Sequence, residues 1–187
     1  MGRHSLPCLK KISTPVRTCV DNSRYNEYYS GMSGRLSSEI KQSKPFPSVE
    51  TEVFLNLTRT ADHTMRIVTE VLKTADLSPT QYNVLRILQG AGKDGLPCSE
   101  IGSRMITRDP DITRLLDRME QRELVARTRS SADRRVVTAK ITKAGSEVLA
   151  KLERPVLESS KRHLAHMTEK QMRELIDLLE LVRAGEA

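Results

Sequence analysis

Between residues 109 and 145 the chain lays down one amphipathic helix and then two short β-rich runs, "LVARTRS" and "VVTAKIT", joined by "SADRR". That succession limits the fold more than any other feature. The helix is expected to open with Asp109 as cap and Pro110 behind it, and to run to about Glu123. Ile112, Leu115, Leu116 and Met119 form its apolar stripe. The other side presents Asp111, Arg114 and Arg118 one turn apart. The hairpin that follows has two adjacent arginines, Arg134 and Arg135, at its tip.

The segments around this unit read as helices. Val53, Phe54, Leu57, Ala61, Met65, Val68 and Leu72 share one helical face over 49–73. Ser78, Pro79 and Gln81 give a capping box and a first-turn proline for the next helix, which carries Tyr82, Val84, Leu85, Ile87 and Leu88 and stops at "GAGKDG". Ser99 is expected to cap a short helix, "EIGSRM". Helix returns after Thr142, with a kink at Pro155, and a last helix starts at Thr168. Helix, short helix, turn, amphipathic helix and two strands make a winged helix-turn-helix. The expected fold is mainly α with a small β-hairpin wing, flanked by N- and C-terminal dimerisation helices. Residues 49–76 and 146–184 supply those helices and 77–145 the winged lobe. A helix of 49–73 is too long for the lobe to cover, so a second copy is its simplest partner.

Residues 1–48 read as a disordered basic tail, ended by "KPFPS". A start at Met32 removes most of it. Its Lys10, Lys11, Arg17 and Arg24 add non-specific affinity for DNA on one reading and are a plain tail on the other.

Charge points to a polyanionic partner. The net charge is +7, and residues 99–145 carry 11 Lys/Arg against 7 Asp/Glu. No apolar run approaches the roughly 18 residues of a membrane span, and no secretory signal is evident. Three widely spaced cysteines, Cys8, Cys19 and Cys98, suggest neither a disulfide framework nor a zinc module, so the cytoplasm is expected. No P-loop, GxSxG, Cys–His pairing or carboxylate pair in a plausible cleft asks for catalysis.

The helix–wing unit suits double-stranded DNA. A major groove admits one α-helix, and arginine bonds guanine bidentately. Arg114 and Arg118 are the candidate base readers. Thr113 suits a thymine methyl or a phosphate, and Asp111 either accepts from cytosine or steers Arg114. Arg108, in the preceding turn, suits a phosphate. In the wing, Arg135 suits the minor groove and Arg134 a phosphate, with Asp133 as turn former and internal brace.

These pieces resemble the MarR family (multiple antibiotic resistance regulators). The resemblance rests on "LSPTQYNVLRIL", "EIGSRM", "DPDITRLLDRMEQRELVAR" and "DRRVVTAKITKAG", and extends over roughly residues 49–184. Asp133, Arg135, Thr142 and Gly145 form the most specific signature. It implies a homodimer built from the first and last helices, two winged lobes on a pseudo-palindromic operator, and release of DNA by a ligand or an oxidant. The expected function is a homodimeric transcriptional repressor relieved by a small molecule. The alternatives are a winged-helix protein-interaction module, or a redox-sensing regulator using Cys98.

Cys98 precedes a helix N-terminus, whose dipole favours a thiolate. A small, partly buried residue in a tight turn is the favoured reading, because the family's hydroperoxide sensors carry their cysteine in the first helix and this chain has none there. His163 and His166 have metal-ligand spacing, with Glu158 and Glu169 nearby and His63 able to approach; a histidine pair at a dimer interface without metal is favoured. No cofactor is expected. The candidate effector pocket, between the dimerisation helices and the lobe, is lined by Leu57, His63, Met65, Tyr82 and Leu85.

Overall fold

Ser48 sits at the start of a long helix: its Oγ accepts the Thr51 N–H at 3.3 Å. The computed structural model describes residues 35–107, 111–129 and 136–185. Its helices are α1 (Arg35–Glu39), α2 (Val49–Lys73), α3 (Pro79–Ala91), α4 (Cys98–Arg104), α5 (Ile112–Gln121), α6 (Lys143–Leu164) and α7 (Glu169–Ala184). The strands are β1 (Leu96–Pro97), β2 (Val125–Arg129) and β3 (Val137–Ile141). The chain divides at Thr58/Arg59, inside α2, into two compact units.

In the first unit, α1 departs from the expectation of an irregular stretch up to residue 48. Leu36 and Ser37 are buried, and Arg35 pairs with Glu39 across one turn at 3.1 Å. Five residues are too few to show a periodic stripe, which is why the pattern stayed silent. Residues 1–34, with Met32, Cys8, Cys19 and the basic residues of the tail, lie outside the described residues.

The second unit opens with the remainder of α2 and turns into α3 through the expected capping box. The Gln81 N–H donates to Ser78 Oγ at 3.1 Å, and the Ser78 N–H donates to Gln81 Oε1 at 3.0 Å. Leu72, Val84, Leu85, Leu88, Ile101, Leu116 and Met119 are the fully buried centre of one core. Thr142 caps α6, and Thr168 with Gln171 makes a second capping box for α7. α6 runs on through Pro155, with helical residues on both sides of the expected kink.

Three local expectations need correction. The sheet has three strands, not two, in the order β1-β3-β2, all antiparallel. β1 is two residues long and ends in a proline, so alternation could not announce it; Pro97 fits because the strand is an edge. Its entry needs Gly95: φ is +71°, and a Cβ there would stand 2.3 Å from the Ala139 carbonyl oxygen. Second, Ser99 is not a cap. The chain passes directly from β1 into α4, which puts Pro97 at the cap position without a side-chain bond and Ser99 inside the helix. Third, the cap of α5 is Asp111 rather than Asp109; Asp109 and Pro110 lie outside the described residues.

Candidate nucleic-acid interface

α5 is anchored on one side and bare on the other. Leu115, Leu116 and Met119 are at most 2% exposed, while Thr113, Arg114 and Arg118 are exposed. The stripe that holds the helix down therefore fixes which residues face outward. Asp111 accepts the Arg114 backbone N–H at 3.0 Å, and its other oxygen lies 3.0 Å from Arg114 Nε. Both carboxylate oxygens of Asp111 thus engage Arg114 in this structure. Arg118 Nε donates to the Arg114 carbonyl at 3.3 Å. Arg118 has no carboxylate partner among the described residues, so its charge is available to a polyanion. Asp111, Arg114, Asp117 and Arg118 line a cleft of about 420 Å³.

The charges of α5 are not left to chance on its flank. Arg127, on β2, donates from Nε to Glu120 Oε2 at 2.9 Å and from a terminal nitrogen to the same oxygen at 2.6 Å. Its backbone N–H donates to Glu120 Oε1 at 3.0 Å, and Asp117 lies 2.5 Å from the guanidinium. These bonds hold the Glu120 carboxyl below its ordinary range. The sequence reading missed this cluster. The signal was there: Arg127 stands two residues after buried Val125, on the same face of the strand. A charged residue on an inward face needs a partner.

Two further contacts hold the helix-turn-helix. Asn83 Oδ1 accepts the Ile106 N–H at 2.9 Å, fixing the turn between α4 and α5 to α3. Arg122, at the end of α5, donates to the Asp76 carbonyl at 2.6 Å and pairs with its carboxylate at 3.3 Å. A second cleft, of about 450 Å³, lies beside it, with Lys73, Asp76, Ser78, Gln81 and Arg118 among its lining residues.

The wing tip residues Asp133, Arg134 and Arg135, and Arg108 in the turn before α5, lie outside the described residues. The residues assigned to an effector pocket are scattered in burial. Leu85 is fully buried in the core and Tyr82 packs against it; His63 and Met65 are exposed and Leu57 is half-buried. His63 does meet a histidine from α6: its ring centroid lies 5.0 Å from that of His163. His166 is exposed. Among the described residues no group of three or more His, Cys, Asp or Glu converges as a metal site. No described helix is long and apolar enough to cross a membrane.

Comparison with known proteins places this geometry. The MarR family model matches residues 77–137. A solved MarR transcription factor from Planctomyces limnophilus is 41% identical, with a TM-score of 0.57, over 73% of this chain and 99% of that one. The chain belongs to the MarR family. The HTH-type transcriptional repressor MdtR of Bacillus subtilis (strain 168) is 35% identical over 107 residues, 55% of this chain and 65% of MdtR. The chain thus spans only part of the curated relatives it matches, 49% of another of them. The S. aureus MepR–DNA complex shares the fold at 20% identity, with a TM-score of 0.63 over 70% of this chain and 96% of that one.

Within the MarR frame, the Thr142–Gly145 part of the signature has a structural cause. The Thr142 hydroxyl lies 2.6 Å from the Glu123 carbonyl and 3.2 Å from that of Leu124, and its oxygen accepts the Gly145 N–H at 3.0 Å. A Cβ on Gly145 would lie 2.2 Å from the Leu124 carbonyl oxygen. Threonine and glycine together lock the start of α6 onto the end of the recognition unit. Cys98 is half-buried and is the first residue of α4. Burial pushes its thiol up, and the nearby Arg127 charge offsets this only in part. That disfavours the thiolate a redox sensor needs.

Proposed function

We propose that this chain is a sequence-specific transcriptional repressor that binds a pseudo-palindromic operator as a homodimer in the cytoplasm and is released by a small-molecule effector. The observation that carries the reading is α5. A short helix is held by a deeply buried stripe and turns Thr113, Arg114 and Arg118 outward, beside a wing. Arg114 and Arg118 read base edges in the major groove, and Thr113 touches a thymine methyl or a phosphate. Asp111 sets the pose of Arg114. Arg135 enters the minor groove, Arg134 and Arg108 hold phosphates, and Asp133 braces the wing.

The dimer is supported by α7, which buries none of its residues and exposes Leu175, Ile176, Leu178, Leu181 and Val182. An amphipathic helix with no buried side needs a partner, and a second copy supplies the same surface by symmetry. Within the second unit, the effector site is assigned to the surroundings of His63, Met65, Tyr82 and Leu85.

The test is a fluorescence anisotropy titration with the duplex upstream of the protein's own gene and an unrelated duplex, across a salt series. Tight, selective binding at one dimer per site is expected, with affinity falling steeply as salt rises, by a logarithmic slope of about 0.9 per phosphate neutralised. Equal weak binding to the upstream duplex, the unrelated duplex and duplexes selected from a random pool would overturn the reading.

A further inference from the structure

We propose that Arg127 is a positioning residue for DNA recognition, fixing the angle between the recognition helix α5 and the first wing strand β2. The inference rests on the DNA-binding reading above and adds the part that couples its two contact elements.

Three residues, Arg122 to Leu124, connect α5 to β2. Such a short connection sets distance, and the buried stripe of Leu115, Leu116 and Met119 sets which face points outward, but the helix keeps the freedom to tilt against the strand. The bond set around Arg127 removes that freedom. Glu120 and Asp117 lie three apart on α5, so both carboxylates face the same direction. One guanidinium bonds both, at 2.6 and 2.5 Å. The same Glu120 also accepts the backbone N–H of Arg127 at 3.0 Å. Among the described residues β2 is an edge strand, paired with β3 alone, and there this N–H finds its partner on α5 rather than on a second strand. Side chain and main chain of one strand residue are thus tied to one turn of the helix. A planar fork does this; a lysine ammonium, a point charge on a flexible stem, does not reproduce it.

The arrangement also answers an electrostatic difficulty. Asp117 lines the same cleft as Arg114 and Arg118, and a carboxylate beside a surface that meets phosphates is unfavourable. Arg127, its side chain only 21% exposed, offsets that charge from behind the helix rather than from the face that meets DNA. Bases read by Arg114 and Arg118 and the groove entered by the wing must be met at once, so a loosened angle costs specific binding more than general affinity for phosphates.

The experiment starts by selecting preferred duplexes from a random pool with the wild-type dimer. Affinities for the selected duplex and a scrambled one are then compared among wild type, Arg127→Lys, Arg127→Met and Glu120→Gln, with thermal melting recorded for each. Arg127→Lys and Arg127→Met are expected to lower the ratio of selected to scrambled affinity by about tenfold or more, the scale of losing a base contact. Scrambled-duplex affinity should hold within about twofold in Arg127→Lys, which keeps the charge. Glu120→Gln is expected to lower the ratio in the same direction, and it carries the test if Arg127→Met does not fold. A wild-type ratio in Arg127→Lys, or melting that drops while the ratio holds in every variant, would overturn the proposal. Failure of the wild type to select any duplex would overturn the DNA-binding reading itself, and that outcome is visible before any variant is made.

Discussion

Asp111 holds Arg114 twice, through the backbone N–H at 3.0 Å and through the guanidinium Nε at 3.0 Å. One carboxylate is both the cap of α5 and the rest position of a candidate base reader. The two roles separate by substitution. Asp111→Asn keeps an acceptor for the cap and loses the charge; Asp111→Ala loses both. Asp111→Ala is expected to destabilise the lobe by about 1 kcal/mol, and Asp111→Asn by much less. Both should relax base preference at the position Arg114 reads, because its side chain is no longer tethered. Thermal melting and anisotropy on single-base-substituted duplexes check the two effects independently.

Gly145 tolerates no side chain. An added Cβ would meet the Leu124 carbonyl oxygen at 2.2 Å and Ile141 Cγ1 at 2.9 Å. The backbone carbonyl cannot swing aside as a flexible side chain can. Gly145→Ala is expected to cost about 3 kcal/mol, the upper part of the range for overpacking, read as a fall in the urea midpoint with an unchanged slope. Thr142→Val, which keeps the shape and removes the hydroxyl cap, should cost about 1 kcal/mol.

Burial raises the Cys98 thiol above its ordinary range. In a chain where Cys8 and Cys19 are replaced by serine, iodoacetamide at pH 8 should modify Cys98 more slowly than a free cysteine peptide. Urea should restore the ordinary rate. Modification of the folded protein as fast as the peptide would mean an accessible, activated thiol, and would return the redox reading to consideration.

The Arg127–Glu120 pair predicts a pH dependence with a definite sign. Glu120 sits below its usual 4.5 in the folded chain, so the folded state holds its proton less tightly than the unfolded one. The stability this provides is fully present above pH 4.5 and is lost as pH falls through the lower folded value. The Glu120 side chain is 39% exposed, so solvent screening keeps the effect to about 1 kcal/mol. Chemical denaturation of wild type and Glu120→Gln should show that gap at neutral pH and convergence in acid.

The parts legible in the sequence are those that a few neighbouring residues decide. The Ser78–Gln81 box and the caps at Thr142 and Thr168 follow from local hydrogen bonding, and the α5 stripe from spacing. What was missed depends on contacts made across the fold. β1 exists because Leu96 and Pro97 meet Ala139 and Thr138 on β3, which nothing in a two-residue stretch announces. The α5 cap moved from Asp109 to Asp111 because both residues suit a cap, and only the backbone path decides between them. Arg127 was hidden because its partners lie on the preceding helix, and their meaning appears only when strand and helix are packed together.

Base reading by the outward face of α5 stands or falls at Arg114. Duplexes selected by the wild-type dimer would be substituted at every base pair, and each binding energy measured for wild type and Arg114→Ala. Wild type is expected to discriminate by about 1–3 kcal/mol at one base pair in each half-site that Arg114→Ala reads with indifference, while discrimination elsewhere survives. A uniform loss of affinity over all duplexes, with every preference intact, would contradict it and reduce Arg114 to a phosphate contact.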